Sequence, residues 1–452
     1  MGIERTKMQT LSNKTGDIAT TQTTGVIDAT SVEPASRLPT KQPGKQPTKQ
    51  PTKQPGSQPS RNPFRTVAAR WSKRDSGIEL LRILAMLMII GHHLYVNSRI
   101  PTDIMPSSPF RFFILWQTAA GKIGVAVFFM ISAWYLCDDH SPTLKQSLKR
   151  VWRLEREILF YSIGILLIGN FALPTPGMDE SALTIRLLFP VTTGAWWFAT
   201  AYVMFLLVYP FLTEGLRKIG RKNHGLLCVV FLVAWGLLYG VTQLGNMSFT
   251  NSSFGFFVYL YILMSFYRWY MKEFNVRTLW TMLGIGFLMI ALNLLFENII
   301  PDTDGTLNNI DHNKLFLCYE GKLPILLVSF GLIGLFIRIH WHNTVINAIA
   351  SATFGVYLIH HHLYLRNYLW DDSLYPFSKL MNNPHAILIC LVAILLVFSI
   401  ATIIDLLRQV IFAAALDRQL DNRFDSLCDS ITHDPWVKRC THAASRLLRE
   451  SK

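Results

Sequence analysis

The first long apolar run of the chain reads IELLRILAMLMIIGHHLY, from Ile78 to Tyr95. A run of this length crosses about 30 Å of hydrocarbon as a single helix. It carries Arg82 and His93, which are eleven residues apart. At about 100° per residue, eleven steps return to within roughly 20° of the starting face and rise about 16 Å. Both side chains therefore lie on one stripe of one helix, whereas His92 lies about 100° to one side.

Ionisable side chains in a lipid-spanning helix are costly, so Arg82 and His93 predict a functional site. The alternative is that Arg82 extends to the headgroups while His93 hydrogen-bonds a neighbouring helix. Ser76 followed by Glu79 fits a capping box, which predicts a helix start near Gly77. His93 is then roughly 24 Å further along the axis, beyond the membrane midplane.

The composition excludes an ordinary soluble enzyme, because 50% of the 452 residues are hydrophobic and only 16% are charged. We predict an all-α, polytopic membrane helical bundle of about ten transmembrane helices with a disordered N-terminal tail. The first five predicted spans are Ile78 to Tyr95, Ile123 to Cys137, Ile158 to Leu173, Trp196 to Leu212 and Gly225 to Val241. The other five are Phe254 to Tyr270, Leu279 to Ile299, Leu323 to Ile337, Val345 to Leu365 and Ala386 to Ile411.

The formal charge of +14 indicates membrane topology and not nucleic-acid binding, because the basic residues crowd alternate loops. Clusters lie before the first span, from Arg61 to Arg74, and after the second, from Lys145 to Arg156. Loops rich in Lys and Arg stay in the cytoplasm. We therefore expect a multi-pass protein of the cell (plasma) membrane, in contact with the lipid bilayer and with both termini cytoplasmic.

Three regions follow from these patterns. Residues 1–74 are predicted to be a disordered basic Pro/Gln/Lys-rich cytoplasmic tail, since Lys41 to Pro59 reads KQPGKQPTKQPTKQPGSQP. This tail is a solvated spacer or spreads on an anionic inner leaflet. Residues 75–411 form the transmembrane domain, and 412–452 a short cytoplasmic C-terminal tail. No metal site is predicted, since the cysteines and histidines of that last tail match no usual zinc spacing.

Two basic residues follow the second span, which ends GVAVFFMISAWYL from Gly124 to Leu136 and includes Ser132. They are Arg150 and Arg153, three apart in LKRVWRLERE. Two guanidinium groups on one helix face can bind phosphate oxygens in a bidentate manner. The alternative is that both are ordinary positive-inside charges.

Two later spans carry aromatic and histidine clusters. The fourth reads WWFATAYVMFLLVYPFL from Trp196 to Leu212, and the ninth comes from SATFGVYLIHHHLYL, Ser351 to Leu365. We interpret Trp196 and Trp197 as interface-belt aromatics, and His360 to His362 as residues near the outer interface.

Together these segments resemble acyltransferase family 3, the integral membrane acyltransferases, over about residues 75 to 411. Arg82 and His93 match the R-x10-H spacing of the family's first helix, and Arg150 and Arg153 match its R-x-x-R motif. Three more matches are Ser132 in the FF-x-x-SG segment, WWF with Pro210, and Tyr357 with His360 in the late Tyr/His segment. Ala133 departs from the usual glycine after the serine, which puts the local packing in doubt.

The resemblance implies an O-acyltransferase that moves an acyl group, commonly acetyl, from cytoplasmic acyl-CoA to a carbohydrate hydroxyl at the outer side. It implies His93 as the catalytic base, and Arg82 as a group that binds a donor phosphate, orients the thioester carbonyl or stabilises developing negative charge. Imidazole and guanidinium chemistry fit these roles. Arg150 and Arg153 would bind the phosphates of the donor, which we expect to be acetyl-CoA. Four further residues are candidates for substrate contact, namely Ser132, Trp197, Tyr357 and His360. Direct transfer and an acyl-histidine intermediate both remain open.

A second class of function is a transporter or flippase of an envelope precursor, since many spans with intramembrane charge also suit translocation. Asp405 is the main mid-span candidate for ion coupling, and the two halves of the chain show no obvious repeat. A membrane sensor is a weaker third class. A hydrolase-type acyl transfer has no support because no G-x-S-x-G elbow is present. The other large membrane acyltransferase family would not explain the two Arg-containing motifs. The acceptor glycan and the oligomeric state are left open.

Overall fold

The computed structural model describes residues 63–72, 74–98, 100, 105–172, 180–238, 254–299, 320–370, 374–436 and 438–439. Within these ranges every regular element is helical. The first seven are α1 Pro63–Trp71, α2 Ser76–Asn97, α3 Pro109–Leu136, α4 Leu144–Ala172, α5 Glu180–Leu188, α6 Trp197–Phe231 with a π-helical extension Leu232–Leu238, and α7 Phe254–Tyr270. The remainder are α8 Val276–Ile299, α9 Leu323–Phe336, α10 Thr344–Ser351, α11 Thr353–His360, α12 Leu365–Trp370, a 3-10 turn Phe377–Asn382, α13 Ala386–Ala415 and α14 Asp417–His433.

The predicted disordered tail lies mostly outside the described residues, which begin at 63. Its last part differs from the prediction because Pro63–Trp71 forms α1. This helix is anchored on the bundle, since Val67 is buried and the indole of Trp71 donates to the Ser351 hydroxyl at 3.1 Å. Tertiary contacts thus order a segment whose composition alone gave no helical signal.

The start of α2 differs from the predicted capping box. Asp75 is the N-cap residue, and its carboxylate accepts from the Gly77 amide at 3.0 Å. The Ser76 hydroxyl instead donates to the Asn347 side chain at 2.8 Å and accepts from the Asn343 amide at 2.7 Å. The predicted cap was therefore wrong by one residue, because Ser76 ties the start of α2 to the start of α10.

Five helices of the described chain are long and apolar enough to cross a membrane. They are Ser76–Asn97, Pro109–Leu136, Trp197–Leu238, Val276–Leu295 and Ala386–Ala415, and Leu323–Phe336 and Thr344–His360 are shorter apolar stretches. The 42-residue stretch Trp197–Leu238 breaks at Gly220, where φ is 72° and ψ 172°. The predicted fourth and fifth spans fall on either side of this break. The total of about ten spans stays a prediction.

The predicted ninth span is not one continuous helix. It consists of α10 and α11, which are separated at Ala352, and α11 ends at His360. At the break, the Ser351 and Thr353 hydroxyls bond the backbone carbonyls three residues earlier, at 2.7 and 2.8 Å. Such local bonds compete with a regular helical ladder. The break also turns the three histidines that follow it into the bundle.

Helices α2 and α3 cross closely because glycines line the contact. A Cβ on Gly121 would come 2.3 Å from the Cβ of His92, and one on Gly124 would come 2.7 Å from the Ala85 carbonyl oxygen. Only glycine permits backbones to approach this closely. This approach brings Lys122 of α3 next to the histidines of α2.

The segment that leads into α2 and the start of α4 carry the Lys and Arg clusters, and we call this side of the bundle the basic end. The predicted C-terminal tail is helical here, because α13 continues to Ala415 and α14 follows it as Asp417–His433. Helix α14 packs on the basic half of α4, where the Trp152 indole donates to the Leu420 carbonyl at 3.2 Å.

Candidate functional site

A small cavity of about 70 Å³ lies between α2, α3 and α6, far from the basic end. Its lining is Met86, Ile89, His92, His93, Gly121, Lys122, Val125, Phe128, Trp197, Phe198, Glu320 and Tyr357. Met86 and Ile89 fall on the helical stripe that joins Arg82 to His93.

His93 makes a buried hydrogen bond to a second histidine. Its Nδ1 lies 2.7 Å from Nε2 of His360 on α11, and Nδ1 of His360 lies 2.5 Å from the Val356 carbonyl oxygen. A carbonyl only accepts, so Nδ1 of His360 carries the proton and its Nε2 is the acceptor. His93 therefore donates through Nδ1, and Nε2 of its neutral ring keeps a lone pair. The network assigns His93 the tautomer that a base needs.

The His93 ring is also held on its face. The ring of His361 stacks on it with centroids 4.1 Å apart and planes 14° apart, and Tyr357 lies 6.3 Å away. His360 and His362 are fully buried. These two side chains therefore face the interior of the bundle, while the location of His360 to His362 near the outer interface stays a prediction.

An ion pair that lines the same cavity was missed by sequence reasoning. Nζ of Lys122 lies 2.8 Å from a carboxylate oxygen of Glu320, and their side chains are 18% and 3% exposed. Lys122 interrupts the apolar run of α3, so the argument that selected Arg82 applies to it as well. Glu320 had no such signal, because it precedes α9 outside any apolar run.

Arg82 lies below the cavity, toward the basic end. Its Nε is 3.3 Å from the Glu79 carboxylate, which also accepts from Arg74 at 3.1 Å. The guanidinium carbon is 5.9 Å from the centre of the Phe128 ring, and Phe128 lines the cavity. The Phe128 side chain thus separates Arg82 from His93, although both lie on one stripe.

Of the two remaining substrate-contact candidates, Trp197 reaches the cavity and Ser132 does not. Trp197 lines the cavity, and Ser132 is half-buried within hydrogen-bonding reach of the Tyr202 hydroxyl. Trp196 is only 1% exposed and packs edge-on against His362 at 5.3 Å. The interpretation of Trp196 as an interface-belt residue was therefore wrong.

Arg150 and Arg153 occupy separate environments at the basic end. Arg150 donates to Asp139 at 3.3 Å and lies over the Tyr209 ring at 5.7 Å. Arg153 forms a two-pronged pair with Asp421 of α14, through contacts of 2.5 and 3.4 Å. Burial opposes the charge of Asp421, but the hydrogen bond and charge of Arg153 outweigh it and lower the pKa of that carboxyl. The two arginines do not form one joint binding site in this conformation.

Asp405, the candidate for ion coupling, is fully buried among partners. Its carboxylate accepts from Arg408 and Tyr161 at 2.7 Å and from Gln409 at 2.8 Å, while Arg408 also pairs with Glu157 at 2.9 Å. A carboxylate with three donors has a structural role that needs no transported ion. In the described residues no cluster of three or more Cys, His, Asp or Glu side chains suits a metal ion.

A comparison with known protein families covers most of the chain. Residues 75–403 match the family described as an acyltransferase domain, so the match runs from the start of α2 into α13. The chain belongs to acyltransferase family 3. This acyltransferase is embedded in the membrane through its apolar helices. Residues 30–65 match a second family, described as a PT disordered repeat. No curated protein and no solved structure matches the chain.

The acyltransferase domain contains the cavity and its two hydrogen-bonded histidines, His93 and His360. It also contains Arg82, Arg150 and Arg153. Helix α14, with Asp421, lies beyond its last matched residue. The contact of α14 with Arg153 therefore joins the family domain to a segment outside it.

Proposed function

We propose that this acyltransferase moves an acetyl group from acetyl-CoA, bound at the basic end, to a hydroxyl of a carbohydrate that enters from the opposite side. The observation that carries this proposal is the hydrogen-bond chain from Nδ1 of His93 through His360 to the Val356 carbonyl, which leaves Nε2 of His93 as a base. The acceptor is an extracytoplasmic or lipid-linked glycan.

In the direct route, Nε2 of His93 takes the proton of the acceptor hydroxyl while the oxygen attacks the thioester carbonyl. The carbon–sulfur bond then breaks, and the proton passes from His93 to the departing thiolate, giving the acetyl ester and free CoA. In the stepwise route, Nε2 attacks the thioester carbonyl and the carbon–sulfur bond breaks, which gives an acyl-histidine and the CoA thiolate. The acceptor oxygen then attacks the acyl carbon, the bond to Nε2 breaks, and the hydroxyl proton neutralises the thiolate. Both routes use the same nitrogen, and His360 holds it in place.

The ion pair of Lys122 and Glu320 suits recognition of the acceptor. A carboxylate accepts and an ammonium donates hydrogen bonds, so together they can bind two hydroxyls of a sugar. Trp197 adds an aromatic face on the same cavity. Tyr357 and His360 would complete the wall against which the acceptor is oriented.

Arg82, Arg150 and Arg153 would serve the donor. We propose that Arg82 stabilises negative charge on the thioester oxygen, and that Arg150 and Arg153 bind phosphate groups. Ser132 lies in the helix that links these regions. The present cavity is too small for both substrates, so Phe128 would move aside for the acyl chain to pass from Arg82 to His93.

The orientation follows from the charge bias, with the basic end and both termini in the cytoplasm of a plasma-membrane protein. The two substrates would then meet within the membrane from opposite sides. This arrangement distinguishes the enzyme from a flippase, which would move its solute intact.

The test uses proteoliposomes of known orientation, with radiolabelled acetyl-CoA on the basic side and glycan acceptors on the other. We expect label bound covalently to the acceptor, and a loss of about 10² to 10⁴ in rate for His93→Ala, as for a removed base. His224→Ala is the control, because His224 is equally buried but lies against Ile262, away from the cavity. Label that crosses only as intact donor, or equal rates for wild type and His93→Ala, would contradict the proposal.

A further inference from the structure

Helix α14 carries an aspartate at every fourth position, and these four carboxylates share one face. They meet the cations of α4 in antiparallel order. The pairs are Lys145 with Asp429 at 2.9 Å, Lys149 with Asp425 at 2.7 Å, Arg153 with Asp421 at 2.5 Å, and Arg156 with Asp417 at 3.4 Å. Helix α14 is thus held on α4 by matched charges.

A cavity of about 430 Å³ opens beside the α1-proximal half of this contact. We call it the arginine cavity, because its charged lining consists of Arg70, Arg74, Arg153, Arg156 and Arg408 with Glu157, Asp417 and Asp421. Small-molecule sites measure about 300 to 1,000 Å³. Its size therefore suits a ligand of nucleotide dimensions.

Three arginines of this cavity depend on α14 for their counter-charges. In the described part of the chain, the ion pairs of Arg70, Arg153 and Arg156 all go to Asp417 and Asp421. The buried Nε of Arg156 makes no hydrogen bond. Three guanidinium groups thus share two carboxylates, which leaves an excess of positive charge and of donors.

The other two arginines are already neutralised within the bundle. Arg74 pairs with Glu79 at 3.1 Å, and Arg408 pairs with Glu157 and Asp405. The excess charge is therefore confined to the side of the cavity that α14 covers.

We propose that the arginine cavity is a polyphosphate site, and that α14 is a latch whose Asp417 and Asp421 occupy the positions of the phosphate groups. The ligand would be a nucleotide with several phosphates, which under the proposed function is the 3′-phospho-ADP end of the acyl donor. Guanidinium forks bind phosphate and carboxylate oxygens with the same geometry. A phosphate ligand would therefore displace the aspartates and release the N-terminal half of α14.

The strength of the contact is consistent with a reversible latch. The Arg156 side chain is only 13% exposed, but those of Arg70 and Arg153 are 56% and 54% exposed. Ion pairs this exposed are weak and are screened by salt. A ligand with three or four negative charges can therefore compete with two carboxylates.

The test measures binding of adenosine 3′,5′-bisphosphate by calorimetry to the full chain in nanodiscs of neutral lipid. We expect the double variant Asp417→Asn/Asp421→Asn to bind about tenfold more tightly than wild type, as two weak competing pairs are removed. The matched control is Asp425→Asn/Asp429→Asn, which removes two pairs of the same helix outside the cavity and should change affinity less than about twofold. Equal affinities for the two double variants would overturn the latch.

A second measurement needs no variant. Trypsin cleavage at Arg423, on the exposed side of α14, should become faster in wild type when the bisphosphate is added. An unchanged cleavage rate at saturating nucleotide would overturn the proposal. If anionic lipid headgroups are the true ligand, the nucleotide will not bind in neutral nanodiscs. Cleavage at Arg423 will then become faster only in nanodiscs that contain anionic lipid.

The latch and the proposed function fail in different ways. Tighter nucleotide binding by Asp417→Asn/Asp421→Asn with no acetyl transfer by any form would keep the latch and reject the enzyme reaction. Acetyl transfer by wild type with identical nucleotide affinity in all variants would keep the enzyme reaction and reject the latch.

Discussion

Replacing His360 should lower the turnover number more than it changes the substrate KM. His360→Phe removes the acceptor of a buried 2.7 Å hydrogen bond and leaves Nδ1–H of His93 without a partner. An unsatisfied buried donor costs about 1 to 3 kcal/mol. The ring escapes this cost by moving its proton to Nε2, which is the nitrogen needed as base.

The expected size follows from that cost. At about 1.4 kcal/mol per tenfold, the reactive tautomer of His93 falls by roughly 5- to 150-fold, and kcat falls with it. His360→Gln is the conservative variant, because its amide oxygen can accept the same hydrogen bond. It should recover most of the lost kcat.

The assay is acetyl transfer by purified protein, with kcat and KM measured for each variant and unfolding midpoints recorded in parallel. His224→Phe controls for removal of a buried imidazole, since His224 bonds the Ile262 carbonyl at 3.0 Å and is not part of the cavity lining. Wild-type kcat in His360→Phe would refute the tautomer argument. Equal losses in His360→Phe and His360→Gln would refute it too, because they would indicate a packing role.

Two further predictions concern charge and packing. Glu320→Gln should lower the unfolding midpoint and raise the KM for the acceptor, because breaking a buried pair costs about 3 to 5 kcal/mol. The double variant Lys122→Met/Glu320→Gln should regain the stability but not the wild-type KM. A double variant as unstable as Glu320→Gln would count against the pairing. Gly355→Ala should cost about 1 to 3 kcal/mol, as a Cβ there would lie 2.0 Å from a buried carboxylate oxygen. Thermal unfolding checks this, and an unchanged midpoint would show that the helices can separate without strain.

Some of the site could be read from the chain because it depends on one helix only. The apolar run around Arg82 and His93 forms a helix, since lipid leaves the backbone no other hydrogen-bond partners. The stripe that these two residues share follows from 3.6 residues per turn. Family membership likewise followed from motifs whose order and spacing are local features of the sequence.

The four aspartates of α14 recur at every fourth position of the sequence, but the sequence does not show which residues they contact. The pattern defines one acidic face, whereas the face it meets is set by how α14 folds back on α4. Arg153 and Asp421 are 268 residues apart, so no local rule relates them. For the same reason, Arg150 and Arg153 could be read as one phosphate-binding pair although they face different partners.

The sequence by itself determined that the apolar run around Arg82 and His93 is a helix and which face of α2 carries the ionisable groups, because both properties depend on neighbours within a few turns. The tertiary structure decided the partners of those groups. His93 meets His360 from 267 residues away, and Lys122 meets Glu320 from 198 residues away. These contacts arise where helices cross, at glycines and at the break before α11, and the periodicity of a single helix holds no information about what lies against it.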